Sequence, residues 1–391
     1  MKRRRLYTRH RLSRDAERLA WLATGLADSG SRVEDAFWEG ELTPLIEKLL
    51  HAGDEEAFNQ ALDRLYETHS RAYDELADLI EAGAEGSRLT VGDGEAWSGL
   101  LLALPILAWS RYSIPTRAVP KTALQGVRAQ LAAHVLAEGV RFTVVDYLFS
   151  PDQLPRGYGE TWQFAEQLWP AAVEDRDFNI EAKKMPETAA FVSDVRYLLV
   201  AVTVPAGRPM FRWNEVDGSR EQALAQWREQ GSANLQAVMA GCAFEMLLPD
   251  AYFAAWRQAD REIRPYALRA AVAYLQAMLG SPAGLMRAVI APFYDRWLVE
   301  YRIGFALTGS DELVHGVVWP LLGPEEESSE TPTEIERILR EAGIGEVILH
   351  GQRFPLEYCD DCGAPLYPNP EGESVHAEMP EGHDSPPAHL H

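Results

Sequence analysis

Cysteine is scarce, with three residues in a chain of 391. That number cannot build a disulfide scaffold and fits a reducing cytosol. Long apolar runs are also lacking. The longest candidate, Leu100–Trp109, is about half of what a bilayer crossing needs, and Pro105 interrupts it. The early arginines are not followed by an apolar core, so no secretory signal is expected. Positive charge is in deficit: Lys+Arg number 37 against 59 Asp+Glu, a net charge of −22. Such a balance excludes wholesale wrapping of nucleic acid and docking on an anionic membrane face. The sequence holds no Gly-x-Gly-x-x-Gly opening a helix, no Walker-type Gly-Lys-Ser/Thr and no Gly-x-Ser-x-Gly. The commonest phosphate-cradling and nucleophile-elbow chemistries therefore have no local support.

What is present is an ordinary globular composition, 47% hydrophobic and 25% charged, long enough for two or three domains. The first 85 residues read as helical. Ser13 is a candidate N-cap, Leu19, Leu22, Ala23 and Leu26 recur at helical spacing, and three further helical stretches follow, with a break expected near Gly40 and Pro44. Arg88–Val91, Gly92-Asp-Gly94 and Trp97 onward read as a hairpin leading into a strand.

From there the chain reads as a strand–helix–strand passage stated twice. Leu100–Trp109, a helix around Leu124–Leu136, and Phe142–Phe149 make the first passage. Tyr197–Val204, a helix around Ala223–Gly241, and Phe244–Leu248 make the second. Helices are expected at Tyr158–Trp169 and Tyr266–Leu279. Ala288–Tyr294, Val299–Leu307 and Leu313–Leu322 read as added strands. A short helix near Ile335–Leu339 and a strand at Glu346–Leu349 follow.

The expected organisation is an α/β fold, with mixed α+β as the variant. Residues 1–85 form a helical region with a basic arm. Residues 86–190 and 191–322 form the two α/β units, the second with the added strands. Residues 323–391 form an acidic linker, a Cys-x-x-Cys knuckle and a flexible tail from Pro368.

Polar residues recur at matching places in the two passages. Arg111 and Arg212 follow the first strand of each passage, Asp146 sits in Val-Asp-Tyr and Asp250 in Pro-Asp-Ala-Tyr, and Arg156 and Arg264 each stand two residues before a tyrosine. Groups just past strand ends gather at a sheet edge, where arginines can hold a carboxylate or phosphate. The plainer reading is that these arginines and aspartates pair with one another and lock loops. Cys242 and His134 sit among apolar neighbours and read as packed groups. His315 alternates with apolar residues on a strand, where packing is weighed above acid/base use.

The most pointed motif is Tyr358-Cys-Asp-Asp-Cys-Gly363. Two thiolates at this spacing reach one tetrahedral ion, and Cys359 and Cys362 make one knuckle of a zinc ribbon. A ribbon needs a second knuckle, which is missing. His350 and His376 are the candidates to complete a structural zinc site, unless a second subunit supplies the missing pair. The alternative is an unmetallated turn with two reduced thiols.

Ala27-Asp-Ser-Gly-Ser-Arg32, Ala103–Pro115, Asp152-Gln-Leu-Pro155 and Cys359–Glu373 together resemble an uncharacterised bacterial family, a domain-of-unknown-function family seen in betaproteobacteria. The resemblance runs along nearly the whole chain. It implies a cytosolic protein and supplies no activity, ligand or catalytic residue.

The leading functional expectation is a non-enzymatic cytoplasmic protein that binds a partner or ligand and forms a homo-oligomer. One alternative is an enzyme with an anion site between the two units. Another is RNA contact through Lys2, Arg3, Arg4, Arg5, Arg9, Arg11 and Arg14.

Overall fold

The computed structural model describes residues 12–110, 113–188, 193–322 and 330–379. It is a mixed α/β structure with a helical N-terminal region. Among the described residues, no helix is long and apolar enough to cross a membrane.

Four helices open the chain: α1 (Arg14–Ala27), α2 (Arg32–Ala52), α3 (Glu55–Thr68) and α4 (Ser70–Glu85). Each begins where a side chain accepts an otherwise orphaned N–H. Ser13 takes that of Ala16, Ser31 that of Glu34, Asp54 that of Ala57 and His69 that of Ala72. Their Leu/Ala stripes close one core, from Leu19 and Leu22 to Phe58 and Ile80. The expected break near Gly40 and Pro44 does not occur, and α2 runs through both. Leu42, Leu45, Ile46 and Leu49 are buried around the proline, and their packing outweighs the lost hydrogen bond.

The chain then turns into strands β1 (Gly86–Val91) and β2 (Glu95–Trp109), paired as the expected hairpin. Gly92 and Gly94 supply its positive φ values, 56° and 102°. After β3 (Arg117–Ala118), α5 (Lys121–Gln130) closes in a π turn at Leu131–Val135. Next come β4 (Arg141–Val144), β5 (Tyr147–Leu148) and α6 (Tyr158–Val173). The second passage is β6 (Ser193–Pro205), α7 (Arg220–Gln226) with a π turn at Trp227–Gly231, α8 (Ser232–Leu235) and β7 (Ala243–Met246). Strand β8 (Asp250–Ala251) leads directly into α9 (Tyr252–Leu279).

The order long strand, helix with a π turn, short strand therefore recurs. The long strands β2 and β6 pair antiparallel from Trp97↔Pro205 to Trp109↔Ser193. Each short strand pairs with the other passage's long strand: β4 with β6, and β7 with β2. Side chains alternate across this sheet. Leu102, Leu104 and Ile106 face α5 and the helix at Trp227, whereas Leu101, Ala103 and Leu107 face α6 and α9.

Helix α9 starts 14 residues before the expected Tyr266 because Pro265 lies inside it rather than at its start. Ala255, Ala259, Ala267 and Ala271, buried on either side, hold the helix across the proline.

A second sheet follows: β9 (Met286–Tyr294), β10 (Leu298–Leu307) and β11 (Leu313–Pro320), all antiparallel. After α10 (Glu330–Glu341), strands β12 (Glu346–Leu349) and β13 (Phe354–Pro355) add parallel to β9. This sheet crosses the boundary expected at residues 322/323, because the apolar faces of α9 and α10 close one core with β9–β11. Of the expected acidic linker, residues 323–329 lie outside the described residues. Of the tail expected to be flexible from Pro368, the part up to Val375 forms a small hairpin, β14 (Tyr367–Pro368) with β15 (Ser374–Val375). Tyr367 anchors it: its ring lies so close to Gly316 that a Cβ there would meet it at 2.3 Å. Residues 380–391 lie outside the described residues.

Two arginines are buried inside strands that read as apolar. Arg196, 1% exposed, pairs with Asp194 and donates to the carbonyls of Ile114 and Pro115 at 3.0 Å each. Arg302, 0% exposed, donates to Glu300 Oε1 at 2.6 Å and to the carbonyls of Glu357 and Leu366 at 2.6 and 2.7 Å. In both cases the acid stands two residues earlier on the same strand, hence on the same face. The helical region is tied to α9 by Glu85. Its Oε2 accepts the Phe253 N–H at 2.9 Å, beside an Arg257–Glu81 pair at 2.5 Å.

Burial pushes the Glu85 carboxyl up from 4.5 to about 7, so the folded state keeps a proton that the unfolded chain releases. Its contribution to stability is present below about pH 4.5 and is lost as pH rises through about 7. Glu85→Gln keeps an acceptor for Phe253 and removes the charge. At pH 8 it should be more stable than the parent by up to about 3 kcal/mol, with a flatter curve between pH 5 and 8 in urea unfolding. Superimposable curves would refute this. His315 acts in the opposite sense. Fully packed against Tyr274 and Phe305, it is pushed down from 6.5 to about 4 by burial, so its stabilisation is lost as pH falls through that range. Arg302→Met leaves Glu300 buried without its cation and should cost about 3–5 kcal/mol in the same assay. Adding Glu300→Met should recover part of that loss.

A candidate metal centre at the C-terminal knuckle

The knuckle is built as a tight turn clamped at both ends. Tyr358 and Pro365 form an antiparallel bridge, and the Cys359 N–H donates to the Ala364 carbonyl at 2.7 Å. The Gly363 N–H returns to the Cys359 carbonyl at 2.9 Å, and Gly363 takes the left-handed φ of 74° that closes the turn. Arg302 reaches from β10 to the carbonyls on either side, those of Glu357 and Leu366. Its guanidinium also lies 5.0 Å from the centre of the Tyr358 ring. The turn itself has almost no apolar core, and the buried guanidinium stands in for one.

One ligand atom each from Cys359, Cys362 and His376 lie within 4.8 Å of one another. Cys362 Sγ stands 3.2 Å from His376 Nε2. His376 directly follows β15, and its other nitrogen, Nδ1, is 3.3 Å from Glu378 Oε1. That contact is close in charge but is not an aligned hydrogen bond. A carboxylate behind the second ring nitrogen is the arrangement that orients metal-binding histidines. The Cys359 thiol is held below its usual value by the backbone N–H groups of Cys362 and Asp361. N–H groups turned toward a sulfur favour the thiolate, the form that ligates a metal. The cluster is solvent-accessible, with Cys362 and His376 exposed and Cys359 half-buried. Three soft or borderline donors with an open fourth position can hold a metal ion.

Of the four expected ligands, His350 is not in the cluster. It follows β12, and its Nε2 lies 2.9 Å from the Asn369 carbonyl, in the turn between β14 and β15. It braces the hairpin that carries His376. Sequence spacing could not separate the two histidines, since both lie within reach of the knuckle along the chain.

The other nominated residues that are described each meet a partner outside the nominated set. Arg111 lies outside the described residues. Arg212 donates to the Ala132 carbonyl at 3.0 Å, and Asp146 accepts the Ile180 N–H at 2.9 Å. Asp250 pairs with Arg220 at 2.6 Å, and Arg156 with Asp152 at 2.5 Å. Arg264 donates to the Pro320 carbonyl at 2.9 Å, lies over Trp319, and lines a cavity of about 360 Å³ with Asp194 and Asp260. None of these contacts joins two of the nominated residues. Cys242 is half-buried 3.7 Å from the Ser113 carbonyl, and burial raises its thiol, as befits a packed group.

Sequence reasoning missed Arg302 and Glu378. The available signal for the first was an acid two positions before an arginine in an otherwise apolar strand, Glu300-Tyr-Arg302.

A comparison with the curated proteins and with the solved structures found no match. A family model does match, over residues 4–390. With nearly its whole length covered, the chain belongs to the family described as Protein of unknown function (DUF2863).

Proposed function

We propose that this chain is a non-enzymatic cytoplasmic binding protein that self-associates, with a structural zinc ion at its C-terminal knuckle. The observation that carries the zinc reading is the convergence of Cys359, Cys362 and His376 within 4.8 Å. Two thiolates and an imidazole suit zinc better than a hard cation such as magnesium or calcium. Zinc–sulfur bonds of about 2.3 Å need only a small inward rotation of such side chains. A tetrahedral ion takes one more donor, and a residue of a second copy at that position would link metal to self-association. A structural role is favoured over a catalytic one. The cluster is open to solvent, and Arg302 ties the knuckle to the fold. The recurring element order and the exchanged short strands support reading the central sheet as two copies of one unit. Their mutual pairing would then be an internal image of how such units associate.

Zinc at one equivalent per chain is the expected result of elemental analysis on protein purified without added metal. Native mass spectrometry of the same sample should show a dimer or larger assembly. Cys362→Ser should lose the zinc and lower the melting temperature by several degrees, and a chelator should lower the parent to the same value. Protein that is metal-free as purified and takes up none in dialysis would sink the zinc assignment. A monomer at micromolar concentration would sink the self-association.

A further inference from the structure

Helices α1 and α2 pack antiparallel, with Asp15–Lys48 at 2.8 Å and Arg18–Glu41 at 3.3 Å marking successive rungs. The next rung is aromatic. The Trp21 and Trp38 rings meet edge to face at 5.4 Å, and Phe37 meets Trp38 at 5.1 Å. Trp21 is 63% exposed and Phe37 60%, and Val33, one turn before Phe37, is 82% exposed. The patch is built rather than incidental. Trp38 lies flat on α1 only because residue 25 is glycine; a Cβ there would stand 2.8 Å from the indole. Glycine is among the poorest helix formers, so α1 gives up local stability to seat this ring. A contiguous apolar surface of this kind marks an interaction site. Its surroundings are acidic: from Arg14 to Lys48 there are eight carboxylates against four cations.

We infer that this patch is the seat of the chain's own basic segment, residues 1–11. That segment carries six cations and no acid, together with Leu6 and Tyr7, so it matches the patch in both charge and apolar content. It also reaches. Leu12 packs half-buried on the helical core, and Trp21 stands nine residues further along α1, about 14 Å away. The six residues from Leu12 back to Leu6 span about 20 Å when extended. A tether this short gives the segment an effective concentration in the millimolar range, above that of any second copy at ordinary protein concentration.

The test uses a dye-labelled peptide of residues 1–11 and fluorescence anisotropy on full-length chains. The parent should bind it weakly, because its own segment competes. A chain carrying Arg3→Glu, Arg4→Glu and Arg5→Glu should bind it at least tenfold more tightly. That gain should shrink at least tenfold between 50 and 500 mM salt. It should vanish when Trp21→Ser and Phe37→Ser are added, with folding checked by circular dichroism. Glu17→Lys with Glu39→Lys, both on exposed positions, serves as a second patch variant that leaves the aromatic packing intact. Equal peptide binding by the parent and the arginine variant overturns the inference. So does binding that survives either patch variant, or a concentration-dependent dimer abolished by the arginine changes, which would assign the segment to a second copy. RNA binding by the parent with the same affinity as its patch variants would also overturn it, since the segment would then be free of the patch.

Discussion

The pairing of β2 with β6 governs the rest of this molecule. From Leu101 to Ala108 on one strand, and from Ser193 to Val204 on the other, the residues lie almost wholly inside. Both faces of the sheet are covered, so alternate side chains must satisfy two different cores at once. A slip of one residue would exchange the two sets, and no partial compensation exists. That constraint decides where β4 and β7 can add and which helices lie on which face.

Within this apolar framework the buried arginines carry the long-range order. Removing a guanidinium from water is unfavourable unless each charge and donor finds a partner. Arg196 and Arg302 answer most of that demand with an acid two residues away and with carbonyls from distant loops, and Arg302 Nη2 is left buried without a hydrogen-bond partner. Each therefore stitches a segment with little core of its own to a rigid strand. The Cys-x-x-Cys turn owes its position to Arg302, and His376 reaches it because Tyr367 and His350 brace the hairpin before it. Metal ligation at the knuckle would add to an arrangement already held by the protein, which distinguishes it from small fingers that fold only around their ion.

Much of the fold was legible in the residues. The four helices of the N-terminal region, the Gly92–Gly94 hairpin, both long strands and the three added strands follow from period and turn chemistry. Misreadings cluster at prolines. A helix break is expected near Pro44 and a helix start at Tyr266, just after Pro265, yet both prolines sit inside helices whose flanking residues are buried. Local propensity there is worth less than the packing on either side. The knuckle was visible as a motif, but the choice between His350 and His376 was not. Nor were the partners of the nominated arginines and aspartates. Their local partners, such as Arg220 for Asp250 and Asp152 for Arg156, satisfy each of them where it stands.

The sequence by itself determined which stretches are helix, strand or turn, that thiolate ligands stand at metal spacing, and that one basic segment faces an acidic remainder. Those properties are carried by neighbours along the chain: periodicity, capping, turn residues and charge. Only the tertiary structure decided that the short strands exchange partners, that β12 joins a sheet begun before the acidic linker, and that His376 rather than His350 completes the cluster. These are contacts between residues far apart in sequence. Their choice depends on which buried faces and unpaired backbone groups meet once the chain has collapsed.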